Sequence, residues 1–385
     1  SFVFDEVVRL AKRGLEVHVA RGRVDKYRFS HGVHFYGLDK LWDAAAVTTL
    51  LSSIAKYPPA SLLRHPRALY FEGLYARRVV ELARMVRPDV MHAHFAHPEG
   101  LVGYLAAGKA GVPLVVTVHG YDVLTESSAG YGVRLSKRYD LLVRRVLSSA
   151  DAVICNSTAL YREVRSVVDN GDRVHLIFNG VDLQRFSPRD PLEARTRLNL
   201  PLDRFIVFTM RHHRPIYGIE YLIRATPRVS NRAREVLFVV GGDGPLRRYH
   251  EELARRLGVE ENIVFTGAIP RELVPLYYAA SDVVVVPSLQ EAWGLVVTEA
   301  LASGRPVIGS KVGGIPDQVI DSFNGFLVPP RDPEAIAEKI LYFIDNPGEV
   351  RRMGMNGRRL AEEKFDIEKR IDRIIKLYKQ ILVER

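Results

Sequence analysis

Cysteine is nearly absent from the sequence, since Cys155 is the single one among 385 residues. A lone thiol forms no internal disulfide and supplies no thiolate cluster for a metal ion, which favours a reducing cytoplasm. No apolar run reaches the roughly 18 residues that a membrane-spanning helix needs, and no signal peptide is evident. We therefore expect a globular, cytoplasmic protein without a disulfide framework.

Positive charge exceeds negative charge, because 55 Lys and Arg residues oppose 45 Asp and Glu residues to give a net charge of +10. This excess suits anionic partners such as nucleotide sugars, phospholipid head groups or nucleic acid. The basic residues are scattered and no nucleic-acid-binding module is recognisable, so we predict no nucleic-acid partner. With 47% hydrophobic residues, the chain can bury large cores and should divide into two domains.

The stretch from Ser281 to Gly314 carries the strongest pattern in the sequence. The β-branched run Val283–Val286 is typical of a strand that is buried on both faces of a parallel sheet. A helix follows from Gly294, and Pro306 to Ile308 begin the next strand. This order predicts a βαβ crossover, and open α/β sheets bind ligands at the carboxyl ends of such strands.

Two carboxylates and a helix start lie at that end of the stretch. The amides of Gly294, Leu295 and Val296 have no intrahelical acceptor and form an anion site at the positive end of the helix dipole. Glu291 lies in the loop, and Glu299 lies inside the helix, about 7.5 Å beyond its start. Carboxylates split in this way differ from the facing pair of a glycosidase, so we interpret them as separate hydrogen-bond acceptors for an extended ligand.

Strands and helices alternate through the rest of the chain, which predicts an α/β fold with two doubly wound halves. The predicted elements of the first half are the helix 2–13 and strands near 16–20, 88–94, 114–118, 152–155 and 174–177. The chain opens on a helix although every later helix follows a strand, so we expect a first strand to lie before Ser1. The second half repeats the layout from the strand Phe205–Met210.

These patterns divide the chain into four segments. We predict a Rossmann-like domain at 1–186, a linker at 187–203, a second Rossmann-like domain at 204–365 and a C-terminal helix at 366–385. The linker is predicted because Phe186 to Asn199 is charged, carries proline and lacks periodicity.

The segment Leu38 to Arg87 is mostly helical in pattern and places Lys56, Arg64, His65 and Arg67 near apolar residues. A basic amphipathic segment can lie on an anionic membrane, which would put the protein at the inner face of that membrane. A solvated helical face that covers the sheet explains the same pattern. Both interpretations stay open, and we favour the solvated face.

Histidines follow two of the predicted strands. His92, His94 and His97 have no carboxylate or thiolate pattern beside them, so we predict no metal site there. His119 follows the central strand 114–118. It either caps the strand end or donates a hydrogen bond to a sugar in the crevice, and we favour the second because of its position.

The second half offers a cation and a glycine turn. Arg211 ends the first strand of this half, where its guanidinium could bind a diphosphate as a fork. Gly242 and Gly244 form a turn into a helix, but Arg247 occupies the third glycine position of a dinucleotide fingerprint. We therefore predict no nicotinamide cofactor.

Taken together, the chain resembles the retaining glycosyltransferases of family 4, which have the GT-B fold. Two glutamates with seven residues between them match Glu291 and Glu299, within a segment that fits the family almost throughout. Individually weak motifs support the resemblance by their order, namely PDVMHAHF from Pro88, TVHG at Thr117–Gly120, NGVD at Asn179–Asp182 with Phe186, and GDGP at Gly242–Pro245. The resemblance covers nearly the whole chain and implies that the C-terminal helix crosses back to the first domain.

The resemblance implies roles for particular residues. Glu299 would hold the ribose of the donor nucleotide, Glu291 would approach the transferred sugar, and His119 would meet that sugar from the first domain. Arg211 and the amides of Gly294, Leu295 and Val296 would bind the diphosphate. Donor contacts are also expected from Gly242, Gly244 and Trp293.

One departure concerns the diphosphate. The family usually places a lysine before a glycine here, whereas this chain has Tyr217 before Gly218. Arg214 would then supply the missing cation.

The implied function is transfer of a hexose from a nucleotide-diphosphate sugar to a glycan, lipid or small-molecule acceptor. Retention of configuration, no cofactor and no metal ion are expected, with the nucleotide sugar as co-substrate. Two alternatives stay open, namely a non-catalytic or impaired nucleotide-sugar-binding protein and a GT-B sugar-nucleotide epimerase.

Overall fold

The computed structural model describes residues 2–21, 27–37 and 66–384, and the elements are numbered within those ranges. The helices are α1 (Phe2–Lys12), α2 (Pro66–Val86), α3 (Glu99–Ala110), α4 (Lys137–Ser149), α5 (Thr158–Arg165), α6 (Pro191–Arg197), α7 (Ile219–Arg232), α8 (Arg247–Arg256), α9 (Val274–Ala280), α10 (Leu295–Ala302), α11 (Pro333–Asp345), α12 (Pro347–Lys364) and α13 (Ile367–Val383). The strands are β1 (Val17–Arg21), β2 (Arg28–Ser30), β3 (Val33–Gly37), β4 (Met91–His94), β5 (Leu114–Val118), β6 (Ala152–Cys155), β7 (Val174–Leu176), β8 (Phe205–Met210), β9 (Val236–Gly241), β10 (Ile263–Gly267), β11 (Val283–Val286), β12 (Val307–Ser310) and β13 (Gly325–Val328). The predicted alternation of strands and helices is confirmed.

The second half is built on a parallel six-stranded sheet in the order β10-β9-β8-β11-β12-β13. Every residue of β11 is buried, as its unbroken valine run predicts for a strand covered by helices on both faces. The strand order reverses direction between β8 and β11. The carboxyl ends of these two strands therefore open a crevice at the switch point.

The first half contains a parallel four-stranded sheet, β4-β5-β6-β7, and a three-stranded sheet, β1-β3-β2, in which β2 is antiparallel. Strand β5 is buried along its whole length, and its carboxyl end delivers His119. The structure thus consists of two Rossmann-like halves, as predicted.

The C-terminal helix α13 packs on the first half. Its apolar stripe lies against β5, β6 and α1, through Ile371, Ile374, Leu377 and Ile381 on the helix and Leu10, Val115, Ala152 and Ile154 opposite. The Asp366 side chain caps the helix by accepting a hydrogen bond from the amide of Glu368. The predicted crossing back to the first domain is confirmed.

The segment between the halves is less irregular than predicted. Helix α6 lies within it, with Asp190 as its N-cap and Pro191 in its first turn, and it packs against α9. The sequence analysis did not predict this helix, because its Asp-Pro start is a short signal within a segment that lacks periodicity. The domain limits themselves stay a prediction.

Residues 38–65 of the predicted basic segment, with Lys56, Arg64 and His65, lie outside the described residues. The part from Pro66 to Val86 forms helix α2. Among the described helices, none combines the length and the apolarity needed to cross a bilayer.

Candidate functional site

Arg211 lies at the switch point, directly after β8, and the loop after the neighbouring strand β11 carries Ser288 and Glu291. Only 8% of Arg211 is exposed. Its Nη2 group donates a hydrogen bond to Ser288 Oγ at 3.0 Å and pairs with the Glu291 carboxylate. The buried Nε–H has no hydrogen-bond partner among the described residues. The crevice therefore holds a fixed cation whose Nε–H group is available to a ligand.

Tyr217 supports this cation from the other side. The guanidinium carbon of Arg211 lies 4.3 Å from the centroid of the Tyr217 ring, which is a cation–π contact. Tyr217 ends a short 3-10 helix, and Gly218 follows with a φ of 61°. The residue at the expected lysine position thus orients the arginine instead of adding a second charge.

The N-terminus of α10 adjoins Glu291. Gly294 has a φ of 87°, and a Cβ at this position would lie 3.1 Å from Cγ of Glu291. The amides of Gly294, Leu295 and Val296 begin the helix and have no acceptor inside it. The structure therefore places the predicted anion site beside the carboxylate that pairs with Arg211.

Glu299 lies on α10, one and a half turns from that site. It accepts a hydrogen bond from Tyr278 Oη at 2.9 Å. Burial raises the pKa of Glu299 to about 7, although Tyr278 and the nearby Arg185 act in the opposite direction. The carboxyl group is thus poised between its two protonation states near neutral pH. Sequence reasoning missed Tyr278 because it lies in an apolar helix and carries no motif.

Asp122 holds the loop that carries His119. Its carboxylate accepts the amides of Ala96, His119 and Gly120 at 2.7, 3.0 and 2.8 Å. The loop at the end of β5 is therefore fixed by a buried acid. The sequence analysis assigned no role to Asp122.

The side chain of His119 is surrounded by rings. Its centroid lies 4.8 Å from that of Phe2 and 4.6 Å from that of Phe95, and its Nε2 lies 3.1 Å from Nδ1 of His94. Burial, with smaller contributions from His94 and Arg370, holds the pKa of His119 well below its ordinary value. The ring is neutral.

The two halves meet where His119 and Glu291 lie. Ala292 packs into the core of the first half, and Gly120, with a φ of 114°, approaches it so closely that any Cβ would collide. Burial raises the pKa of Tyr131, and the nearby Glu291 and Tyr217 contribute to this shift. Tyr131 of the first half therefore lies near Glu291 and Tyr217, a proximity for which the sequence gave no signal.

Gly242 and Gly244, for which donor contacts are predicted, lie against the loop that carries Arg211. Gly242 and Gly244 have φ values of 113° and 154°, and a Cβ on Gly242 would collide with the carbonyl of Arg211. The Gly242 amide donates to Gly267 O at 2.7 Å, and the Gly244 amide donates to the Asp243 carboxylate at 2.7 Å. Because Gly242 has no side chain, it can lie against the carbonyl of Arg211. The amides of both glycines already donate hydrogen bonds within the protein.

Trp293 is a correction. Only 2% of this residue is exposed, and its ring stacks on Phe178 with centroids 5.1 Å apart. Its Nε1 donates to Thr298 Oγ1 at 2.9 Å. The predicted donor contact does not fit this structure because the indole belongs to the core.

Arg214 is exposed and lines a shallow cavity of about 240 Å³ with Gly218, Tyr249 and His250. The structure does not bring it into the Arg211 cluster. The expectation that it replaces the missing lysine stays a prediction.

A carboxylate does accompany two of the histidines, contrary to the sequence pattern. Glu6 of α1 joins His92 and His94, with potential ligand atoms within 4.8 Å of one another. Glu6 is paired with Arg370 at 3.0 Å, however, and both ring nitrogens of His92 are hydrogen-bonded, at 2.5 Å to Tyr378 Oη and at 2.7 Å to a threonine hydroxyl. These partners fit a hydrogen-bonded network better than a metal site.

Comparisons with known proteins give a consistent result. The family described as "Glycosyltransferase Family 4" matches residues 1–185, and the family described as "Glycosyl transferases group 1" matches residues 192–360. A D-inositol 3-phosphate glycosyltransferase from Streptomyces avermitilis is 32% identical over 343 residues, which cover 82% of this chain and 74% of that protein. An N-acetyl-alpha-D-glucosaminyl L-malate synthase from Bacillus anthracis is 25% identical over 97% of this chain and 91% of its own length.

Solved structures agree with these relatives. A sucrose-phosphate synthase from Thermosynechococcus elongatus has a TM-score of 0.82 and 26% identity, covering 100% of this chain and 93% of that one. The Anabaena protein HepE, solved in complex with UDP-glucose, has a TM-score of 0.71 and 24% identity, covering 80% and 82% of the two chains. The second likeness concerns the fold alone.

Proposed function

The chain belongs to the glycosyltransferases of family 4, with the GT-B fold, and we propose that it transfers a hexose from a nucleotide-diphosphate sugar with retention of configuration and without a metal ion. Glycosyl transfer itself follows from the family. The nucleotide-sugar donor, the stereochemistry and the source of positive charge are the proposal.

The observation that carries the proposal is the buried Arg211 beside the N-terminus of α10. As the glycosidic bond breaks, negative charge grows on the diphosphate, so preorganised donors there lower the barrier. Arg211 is held by Ser288 and Tyr217, and its Nε–H has no partner among the described residues. Loss of one such donor typically costs about 2.7 to 4 kcal/mol of transition-state stabilisation.

The remaining donor contacts follow the geometry of α10. The ribose hydroxyls would donate to Glu299, and the diphosphate would accept the amides of Gly294, Leu295 and Val296. Entry of the diphosphate would give Arg211 a second anionic partner and release Glu291 towards the sugar. Arg211 and the helix terminus together supply the positive charge that the leaving group needs.

We propose that the acceptor hydroxyl attacks from the side of the leaving group. The bond between the anomeric carbon and the diphosphate oxygen breaks, and the bond to the acceptor oxygen forms on the same face. The acceptor proton passes to a phosphate oxygen, so the products are the glycoside and the nucleoside diphosphate.

Arg138 favours a small anionic acceptor over an uncharged glycan. It lies in the first turn of α4, the helix that follows β5, and such helices begin at the crevice edge of the sheet. Its Nη1 and Nη2 atoms are buried and have no hydrogen-bond partner among the described residues. Two relatives carry inositol 3-phosphate and malate in their names, and both are hydroxylated anions.

The donor proposal is tested by a screen of nucleotide sugars that follows release of the nucleoside diphosphate. Arg211→Ala should lower kcat at least a hundredfold, whereas Arg228→Ala, which removes an exposed ion pair with Glu334, should not. Proton NMR coupling constants give the product anomer, and EDTA tests the need for a metal. An inverted anomer or loss of activity in EDTA contradicts the corresponding part of the proposal, and a converted donor sugar without transfer indicates an epimerase.

The acceptor proposal is tested with pairs of polyols that differ in one phosphate or carboxylate group. Arg138→Gln should raise KM for the charged member alone, and Arg144→Gln, which changes an exposed arginine on the same helix, should not. Equal use of charged and uncharged members contradicts the proposed anionic acceptor.

A further inference from the structure

A path of buried polar side chains joins the C-terminal helix to His119. Arg370 of α13 forms an ion pair with Glu6 of α1 at 3.0 Å, and both side chains are 4% exposed. Glu6 Oε1 lies 3.4 Å from Nε2 of His94 and makes no hydrogen bond among the described residues, so its contact with this ring is electrostatic. Nδ1 of His94 lies 3.1 Å from Nε2 of His119. Residues from both ends of the chain therefore contact one another up to the crevice.

The charge of Glu6 is determined by its partner. Burial alone would raise the pKa of Glu6, but the pKa lies below its ordinary value, and the Arg370 guanidinium is the largest cause that opposes burial. Arg370 is fixed in turn by the carbonyl oxygens of Ile177 and Phe178, at 2.8 and 3.1 Å. Glu6 is therefore an anion at neutral pH, and a carboxylate accepts hydrogen bonds but cannot donate them.

The histidines next to Glu6 are neutral. Burial lowers the pKa of His94, although Glu6 opposes this shift, and burial lowers the pKa of His92 to about 3. His92 stacks on His94 with centroids 4.6 Å apart and is occupied by Tyr378 and Thr117. His92 is therefore uncharged and forms no ion pair with the Glu6 carboxylate.

An anion at Glu6 sets the direction of the bonds beyond it. The negative charge of Glu6 favours the His94 proton on Nε2, the ring nitrogen 3.4 Å away, which leaves Nδ1 of this neutral ring with a lone pair. Nε2 of His119 then carries the proton between the two rings. Nδ1 of His119 remains as a hydrogen-bond acceptor, and no described residue provides it with a partner.

We propose that Arg370, Glu6 and His94 are positioning residues that hold His119 as the Nε2–H tautomer, so that Nδ1 of His119 accepts a hydrogen bond from a substrate hydroxyl. The polarity is opposite to the sequence-based expectation, in which His119 donates. The tautomer follows from the network alone, whereas the hydroxyl as part of a sugar rests on the proposed function.

The tautomer can be measured without any activity. In protein labelled with 15N-histidine, long-range 1H–15N correlation spectra distinguish a protonated ring nitrogen from an unprotonated one, and His119→Asn assigns the signals of His119. We expect a neutral ring with Nε2 protonated in the wild-type enzyme. Protonation of Nδ1 overturns the proposal, and this measurement decides it even if a variant does not fold.

Glu6→Gln tests whether the path sets the tautomer. The variant keeps the shape of the side chain, and its amide can present oxygen to Arg370 and its NH2 group to His94. The ring protons of His94 and His119 should then each move to the other ring nitrogen, so His119 should switch to the Nδ1–H form. Asp5→Asn removes a neighbouring charge of the same helix, one that pairs with Arg271, and should leave His119 unchanged. The absence of a switch in Glu6→Gln contradicts the proposal.

Kinetics test the hydroxyl separately. Glu6→Gln should lower kcat/KM about tenfold, as expected for one lost hydrogen bond. The loss should disappear with the one deoxy analogue that lacks the hydroxyl facing Nδ1. A loss of the same size with every analogue indicates a structural effect and overturns this assignment of Nδ1. Because the spectra require no turnover, failure of the proposed function would leave the tautomer test intact.

Discussion

Three kinds of contact meet on the guanidinium of Arg211: a hydroxyl from Ser288, a carboxylate from Glu291 and the ring face of Tyr217. Burial of a cation costs desolvation free energy, which hydrogen bonds and ion pairs to its donors offset. In Arg211 the Nε–H group has no such partner among the described residues. Tyr217 therefore explains how the site functions with an aromatic residue at the lysine position. The Tyr217 ring holds the Arg211 guanidinium in one orientation.

Variants of Tyr217 separate its ring from its hydroxyl. Tyr217→Phe keeps the ring face under Arg211, so the affinity for a nucleotide sugar should stay within about twofold. Tyr217→Leu removes a cation–π contact of about 0.5 to 2 kcal/mol, so the affinity should fall about 2- to 30-fold. Calorimetric titration measures both values. An equal loss in the two variants would assign the role to the hydroxyl.

Glu299 should make donor binding dependent on pH. Its pKa is raised to about 7 in the empty enzyme, and the ionised form accepts two ribose hydroxyls. Affinity should thus approach its full value near pH 8 and fall about tenfold between pH 8 and pH 6. The free energy of unfolding of the empty enzyme should fall as the pH rises from 4.5 to 7, because in that range Glu299 ionises in the unfolded chain while the buried carboxyl group stays protonated. A nucleotide sugar suits the titration since its diphosphate diester does not change charge in this range, and Glu299→Gln should remove the pH dependence.

At the scale of elements, the start of α10 is determined by its N-cap residue, Gly294. Gly294 adopts a left-handed conformation that leaves the amides of the first turn open. Gly314, in the loop after β12, supports the loop that carries Glu291, because its amide donates to Glu291 O at 2.9 Å. The anion site thus depends on backbone geometry on both sides of the helix.

Gly294→Ala should lower the free energy of unfolding by about 1 to 2 kcal/mol, because a side chain is unfavourable at positive φ. It should also weaken donor binding, since the added Cβ would press on the Glu291 side chain. Gly348→Ala is a matched control, because this helical glycine has nothing within 4 Å of an added Cβ, and it should leave stability within about 1 kcal/mol. Denaturant unfolding measures both, and equal stability of the two variants would contradict the argument.

Helix α13 should stabilise the first half although it follows the second. Ile374 is fully buried against β5 and β6, so Ile374→Ala should cost about 2 to 5 kcal/mol. Lys376→Ala, on the exposed face, should change stability by about 0.5 kcal/mol at most. Thermal unfolding compares them, and a tolerated Ile374→Ala would show that the docking contributes little.

At the scale of the whole molecule, the crevice is bridged in several places. The amide of Thr158, at the start of α5, donates to Asp317 Oδ2 at 2.7 Å, so an acid of the second half caps a helix of the first. Arg331 reaches Glu126 at 3.3 Å and Arg271 pairs with Asp5, but these pairs are exposed and contribute little. Of these three contacts, the cap is the one expected to contribute most to holding the halves together.

Asp317→Ala should therefore loosen the arrangement of the halves by about 0.5 to 2 kcal/mol. Small-angle X-ray scattering should report a larger radius of gyration for the empty enzyme, and saturation with a nucleotide sugar should reduce the difference. Asp345→Ala, which removes an exposed ion pair with Arg232, is the control and should scatter like the wild type. Identical curves for all three proteins would contradict the role of the cap.

Local patterns were enough to predict the elements and the elements were enough to predict half of the site. The valine run of β11, the Gly294 helix start and the spacing of Glu291 and Glu299 lie within one short segment, so periodicity and capping chemistry fix them. The linker helix was missed because its Asp-Pro signal is short. The family resemblance extended these patterns to the fold.

Tertiary structure decided the rest, because it depends on residues that the chain separates. Trp293 and Glu291 lie two positions apart, yet packing sends one into the core and pairs the other with Arg211. Glu6 and Arg370 are 364 positions apart, and their ion pair exists only because α13 returns to the first half. A sequence states which side chains can accept or donate, but burial and the approach of distant elements determine which protonation state and which partner each one has.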